Sequence, residues 1–211
     1  MIKRQALLLA AIAAGLSMTP AMAETAGTWT VGVGAGYVDP DSDNGTLANG
    51  AFKTEVDSDV RPIITGEYFV ADNIGIELLA ALPFHHDIDL TNTVTGDVTK
   101  AKTQLLPPTL SLQYHFDNVH ANVKPFIGVG ANYTTFFKER IYDGNDSDLE
   151  IDDSWGVAGH VGLDFKLNPT DAVRVDARYI DLEPDVKLNG ADIGTVEINP
   201  WVYGISYVKR F

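Results

Sequence analysis

Five histidines, His85, His86, His115, His120 and His160, are the chain's candidate general bases. A catalytic base needs a nucleophile within hydrogen-bond reach and a third group to orient it. No Ser-His-Asp order can be recognised around any of the five, and the chain has no cysteine to supply a thiolate nucleophile, a disulfide or a thiolate metal site. The acidic run from Asp143 to Glu150 is rich enough in carboxylates for Ca²⁺, but it lacks the EF-hand order of ligands and glycine. Gly32, Gly34 and Gly36 look like a phosphate-cradling loop; that motif needs a following helix, and Asp39-Pro40-Asp41 follows instead. The expectation is a chain that is not an enzyme and carries no cofactor or metal. What remains are charges of both signs, Glu67, Glu77, Asp164, Lys166, Arg174, Asp176 and Arg178, set singly among apolar residues.

The elements that hold these charges alternate with a period of two. In the last thirteen residues Trp201, Tyr203, Ile205, Tyr207 and Phe211 share one parity, against Val202, Gly204, Ser206, Val208 and Arg210. Successive side chains of a strand point to opposite faces, so this segment makes one broad aromatic face. A soluble sheet would bury that face rather than end the chain on a bare Phe. A strand tilted through a bilayer carries such a face outward, with aromatics at the interfaces. Seven earlier segments alternate likewise, near 28–38, 60–70, 74–84, 104–116, 124–137, 154–167 and 171–180. Eight is an even number, as a closed transmembrane barrel of antiparallel strands requires. The expected fold is therefore all-β, an eight-stranded antiparallel transmembrane β-barrel. Its first-strand glycines are small inward residues that let a narrow barrel close.

Lys3 and Arg4 followed by an apolar run and Ala21-Met22-Ala23 read as a secretory signal peptide, residues 1–23, with the barrel occupying 24–211. A formal net charge of −14 argues against nucleic acid, whose binding rests on basic residues. The connections alternate in length. Short turns fall near 71–73, 117–123 and 168–170; long polar loops span about 39–59, 85–103, 138–153 and 181–196. Barrels of the bacterial outer membrane have short periplasmic turns and long external loops, which puts both termini in the periplasm of a Gram-negative cell. Tyr207 and the terminal Phe211 then form the assembly signal that barrel-assembly machinery reads. The acidic run is a solvated external loop, bridged by divalent ions to lipopolysaccharide.

Several motifs resemble the OmpW family of small outer-membrane barrels: Leu106-Pro107-Pro108-Thr109-Leu110, Asn132-Tyr133-Thr134-Thr135-Phe136-Phe137, Asp153-Ser154-Trp155-Gly156, Pro200-Trp201-Val202-Tyr203 and the segment 73–84. They run in order over most of the chain after the leader. The long loops do not share the resemblance. It implies an eight-stranded barrel with an apolar lumen that passes small hydrophobic molecules through the outer membrane.

An eight-stranded interior is just wide enough to be filled by side chains or to hold one small ligand, so its lining decides function. Counting from the short turns at roughly 3.3 Å per residue puts Glu67, Glu77, His115, Asp164, Lys166, Arg174 and Arg210 at the lower end, with Asp176 and Arg178 nearer the middle. These lumen-closing charges should pair, since unpaired burial costs several kcal/mol. The upper half carries Ile63, Leu79, Ala81, Pro83, Leu105, Pro107, Phe136 and Ala158, with Arg61 the charged exception and Trp155 counted to the same substrate path. Pro83 ends one strand and Pro107-Pro108 begins its neighbour. None of the three can donate to the ladder, which makes that seam a lateral exit for an apolar cargo. The expectation is a monomeric uptake channel, with outer-membrane lipid and small hydrophobic molecules as its contacts. The alternative is a barrel without transport that serves structure, adhesion, or phage or bacteriocin attachment.

Overall fold

The computed structural model describes residues 24–117, 122–145 and 147–211; the segment 1–23 expected to be a signal peptide, His120 and Asp146 lie outside them. Among the described residues the chain forms fifteen strands and no helix. In order these are β1 (Trp29–Asp39), β2 (Thr46–Leu47), β3 (Phe52–Val56), β4 (Asp59–Ala71), β5 (Ile74–Ala81), β6 (Phe84–Asn92), β7 (Val98–Leu106) and β8 (Thr109–His115). They continue with β9 (Val123–Ile141), β10 (Leu149–Ile151), β11 (Ser154–Lys166), β12 (Asp171–Ile180), β13 (Asp185–Leu188), β14 (Ala191–Thr195) and β15 (Trp201–Arg210).

Eight of them close on themselves in the order β1-β4-β5-β8-β9-β11-β12-β15, every neighbour antiparallel. Closure is made by the two ends of the barrel sequence. Thr30 pairs with Arg210 and Asp39 with Trp201, and Phe211 extends the ladder by donating to the Trp29 carbonyl at 2.9 Å. The parity read from the sequence decides what points where. Val33, Leu78, Leu110, Val129, Val157 and Ile205 are exposed on the outer wall, while Glu67, Glu77, Gln113, His115 and Arg174 are buried in the lumen. Aromatic pairs mark two heights on that wall. Trp29–Tyr68 and Tyr114–Phe116 lie at the short-turn end, and Tyr133–Trp155 and Tyr179–Trp201 at the other. Trp29 and Tyr37 are eight residues apart on β1, about 26 Å along a strand. An apolar band between two aromatic girdles is the outer surface of a membrane barrel.

The long connections depart from the expectation of polar loops. They contain seven of the strands. A sheet in the order β9-β7-β6-β3-β2 rises from the wall, and β10-β13-β14 form a second small sheet. These enclose an apolar core of their own, including Leu47, Phe84, Ile88, Leu90, Ala101, Leu149, Ile151, Val186, Val196 and Ile198. The reason is local: Phe84, His86, Ile88 and Leu90 alternate with His85, Asp87 and Asp89, so the acidic residues face water while their neighbours face in. The same prolines that were expected to end strands split the segments 74–84 and 104–116. β5 gives way to β6 at Leu82-Pro83, and β7 to β8 at Pro107-Pro108.

Candidate functional site

The lumen is organised in three levels. At the short-turn end Arg174 is the hub. Its Nε and Nη2 donate to Asp164 at 2.7 and 2.9 Å, Nη1 to Glu77 at 2.7 Å and Nη2 to Glu67 at 3.2 Å. Arg178 donates to the other oxygen of Glu77 at 2.7 Å, and His115 Nε2 lies 2.7 Å from Glu67. The Arg174 guanidinium also stacks on the Phe126 ring at 4.4 Å. All these groups are buried. Glycine makes the room: a Cβ at residue 75 would collide with the Glu67 carboxylate, and one at residue 128 with the His160 ring. Below the hub, Lys124 lies 2.8 Å from Asp117 and 3.4 Å from Glu24, and Arg210 is in contact with Glu24. Outside the membrane-spanning strands, the Asp117 carboxyl is held below its usual range; burial opposes this, but Lys124 and Asn73 outweigh it.

Two of the expected charges have other settings. Asp176 faces Gly204 in the β12–β15 ladder, its carboxylate lies over that glycine, and it forms no ion pair with another described residue. Lys166 lines the cleft at the short-turn mouth beside Asp164 and Arg174 of the hub. Glu24 and Lys124 belong to the lower cluster and escaped the sequence reading. Glu24 is the first described residue, and Lys124 lies at the start of β9.

The middle level is neutral and polar. Thr109, Asn132 and Thr134 are buried there, with Asn132 Nδ2 donating to the Pro107 carbonyl at 3.2 Å and Thr134 to Asn132 at 2.7 Å, while Ser111 lies opposite Glu77 and accepts from Arg178 at 3.5 Å. The upper level is apolar. Ile63 and Leu79 are buried, as is Pro107; Ala81 and Pro83 are half-buried. Leu105 and Phe136 face one another in the β7–β9 ladder and line a chamber with Leu47, Ile88, Ile151 and Val186. Its free volume is about 30 Å³, room for a single water, so this chamber of the expected apolar path is nearly filled by its own side chains. His86 also lines it. Nδ1 donates to the Asp57 carbonyl at 2.5 Å, and burial pushes the ring's pKa below its ordinary value, which leaves the chamber uncharged. Trp155 is a correction. It is 75% exposed and packs on Tyr133 at 4.8 Å on the outer wall, because it shares parity with Val157 and Val161.

The histidines have structural settings. His115 pairs with Glu67, His160 packs against Phe126 at 6.1 Å, and His86 is bonded to backbone. No hydroxyl side chain hydrogen-bonds to any of them among the described residues.

The inter-strand ladder lapses where the prolines fall. The β5–β8 ladder ends at Leu79↔Thr109, and the β6–β7 ladder resumes only at Phe84↔Leu105. Between them the backbone is tied to either side and not across. Leu82 donates to the Pro62 carbonyl at 3.0 Å, and the Pro108 carbonyl accepts from Tyr133 at 3.1 Å. The break is about 13 Å of strand, four residues at 3.3 Å each. It lies at the height of the Tyr133–Trp155 girdle, directly below the chamber residues Leu105 and Phe136.

The family model described as "OmpW family" matches residues 25–211. Outer membrane protein W of Vibrio cholerae serotype O1 is 36% identical over 210 residues, which is 95% of this chain and 96% of that protein. The crystal structure of the outer membrane protein OprG from Pseudomonas aeruginosa superposes with a TM-score of 0.78 at 32% identity, covering 89% of this chain and 97% of that one. A shorter match, 30% identical over 118 residues, covers 56% of this chain and 54% of a Pseudomonas aeruginosa protein named "Dibenzothiophene metabolism operon protein PahQ".

Proposed function

The chain belongs to the OmpW family of outer-membrane barrels, and from that premise we propose that it passes small apolar molecules from outside into the membrane by a lateral route. One observation carries the reading: an uncharged apolar chamber stands over a charged floor and beside a break in the wall. An apolar solute gains about 25 cal/mol per Å² on leaving water, and it gains as much in lipid as in the chamber. Sideways release is therefore not uphill, whereas crossing the ion-paired floor would be. The name of the PahQ relative refers to the metabolism of an apolar aromatic compound, which is cargo of the expected kind. Since the chamber is nearly filled, loading it requires the upper sheets to yield around Leu105 and Phe136. The barrel is the channel, and the sheets above it are its receptor for the cargo.

The test is uptake by vesicles containing the folded barrel. An aromatic hydrocarbon should enter faster than into empty vesicles, and a polar solute of equal size should not. Leu105→Asp places a charge in the chamber and is expected to cut the apolar rate at least tenfold. Equal rates for the two solutes, or an unchanged rate in the variant, contradict the proposal. Uptake no faster than through empty membrane would favour a structural barrel.

Assembly is a separate matter. Phe211 is 73% exposed and ends the strand that closes the barrel. Tyr207 on the same face contacts Asp171. Phe211→Ser is expected to lower the yield of folded barrel in cells several-fold while leaving the unfolding midpoint of purified barrel nearly unchanged. Yields equal to the parent's would remove Phe211 from the recognition signal.

A further inference from the structure

On the long-connection side most basic residues are already neutralised. Lys53 lies 3.2 Å from Glu55, Arg61 2.7 Å from Asp59, Lys100 2.5 Å from Asp89 and Lys187 2.6 Å from Asp152. Lys138 and Arg140 are the exceptions: both are exposed, and neither forms an ion pair with a described residue. Arg140 faces Lys102 directly across the β7–β9 ladder. Like charges in that position destabilise a sheet unless an anion lies between them. Lys102 has Asp87 at 3.3 Å, a screened and weak surface pair like Lys53–Glu55, but unlike Lys53 it also has a like charge directly opposite it.

The backbone is shaped to bring the third cation in. Two residues of β9, Lys138 and Glu139, stand opposite one of β7 between the pairs Gln104↔Phe137 and Lys102↔Arg140, a bulge in which Lys138 takes a φ of 58°. A left-handed backbone at a residue other than glycine is uncommon, and bulges re-aim side chains. Here the bulge puts Lys138 on the exposed face of Arg140. The three cations border a cleft of about 550 Å³ that also includes His85, Gln104 and Tyr142. Asp87 and Glu139 are its carboxylates, so cations outnumber anions here in a chain with 15 basic and 29 acidic residues.

Position selects the anion. Lys138 is five residues beyond Tyr133 of the upper girdle, about 17 Å along the strand, which is above the hydrocarbon and among headgroups and their saccharides. We propose that this cleft binds the phosphorylated saccharide of an outer-leaflet glycolipid, with a phosphate seated among Lys102, Lys138 and Arg140. The arginine fork supplies two parallel donors to phosphate oxygens and the lysines supply point charges. The site differs from the divalent bridging expected of the acidic 143–150 run, and it stands whether or not the barrel transports anything.

The experiment uses the full folded barrel in detergent, titrated with lipopolysaccharide with and without enzymatic removal of its phosphates, in the presence of a chelator. Wild type should bind the phosphorylated form, and K102Q/K138Q/R140Q should bind it at least tenfold more weakly. Removing the phosphates should weaken wild type by a comparable factor, and Lys53→Gln should change nothing. Heat-modifiable migration confirms that each variant is folded. Binding of the triple variant within twofold of wild type, equal binding of the dephosphorylated lipid, or complete loss with chelator overturns the proposal. Inorganic phosphate competing as tightly as the lipid also overturns it, because the ion alone would then be the ligand.

Discussion

Arg174→Ala should lower the stability of the folded barrel by about 3–5 kcal/mol, the cost of breaking a buried ion cluster from one side. Arg174 is 3% exposed and is shared by Asp164, Glu77 and Glu67. Its loss removes the hydrogen bonds it gives Asp164, whose distance to His115 Nδ1 is 3.8 Å, and leaves three carboxylates close together in a narrow interior. Arg178→Ala should cost less, since Glu77 keeps Arg174. Urea unfolding at neutral pH in the same detergent measures both. The Arg174 variant should also conduct ions in planar bilayers where the parent does not, because the cluster it empties is the floor of the lumen. A stability within 1 kcal/mol of the parent, or unchanged conductance, would contradict the role assigned to the cluster.

The alternation of apolar and polar residues was enough to place eight barrel strands and their faces. It worked because a wall between lipid and a polar lumen obeys a strict period of two. The same rule missed the upper sheets. His85, Asp87, Asp89, Lys100 and Lys102 made those segments look like polar loops, although each alternates with a buried residue such as His86, Ile88 or Ala101. A sheet with one face in water has an ordinary alternation that is easily discounted beside charge. Trp155 was misplaced for the opposite reason: its motif outweighed its parity. Asp176 shows the limit of placing charges by height alone, since pairing depends on the neighbouring strand, and there it meets Gly204. Lys138 could not have been placed at all without the bulge, which shifts the parity of β9 beyond Phe137.

The lateral route stands on the break between β5 and β8, and closing that break should abolish transport. Continuing the register from Leu79↔Thr109 sets Ala80 opposite Pro108, both on the lipid side, so a disulfide there bridges the seam without narrowing the lumen. Were the ladder continued across the seam, opposed residues would have Cβ atoms about 4.5–5.5 Å apart, close to the separation a disulfide needs, so the bond forms only when the seam closes. The chain has no other cysteine to compete. The decisive measurement is therefore uptake of an apolar aromatic probe into vesicles carrying the Ala80→Cys, Pro108→Cys barrel, oxidised and then reduced. The lateral route requires that the oxidised barrel, still folded by its migration, take up probe no faster than empty vesicles, and that reduction restore the parent's rate. An oxidised barrel that transports as fast as the reduced one would show that the cargo does not leave through the wall.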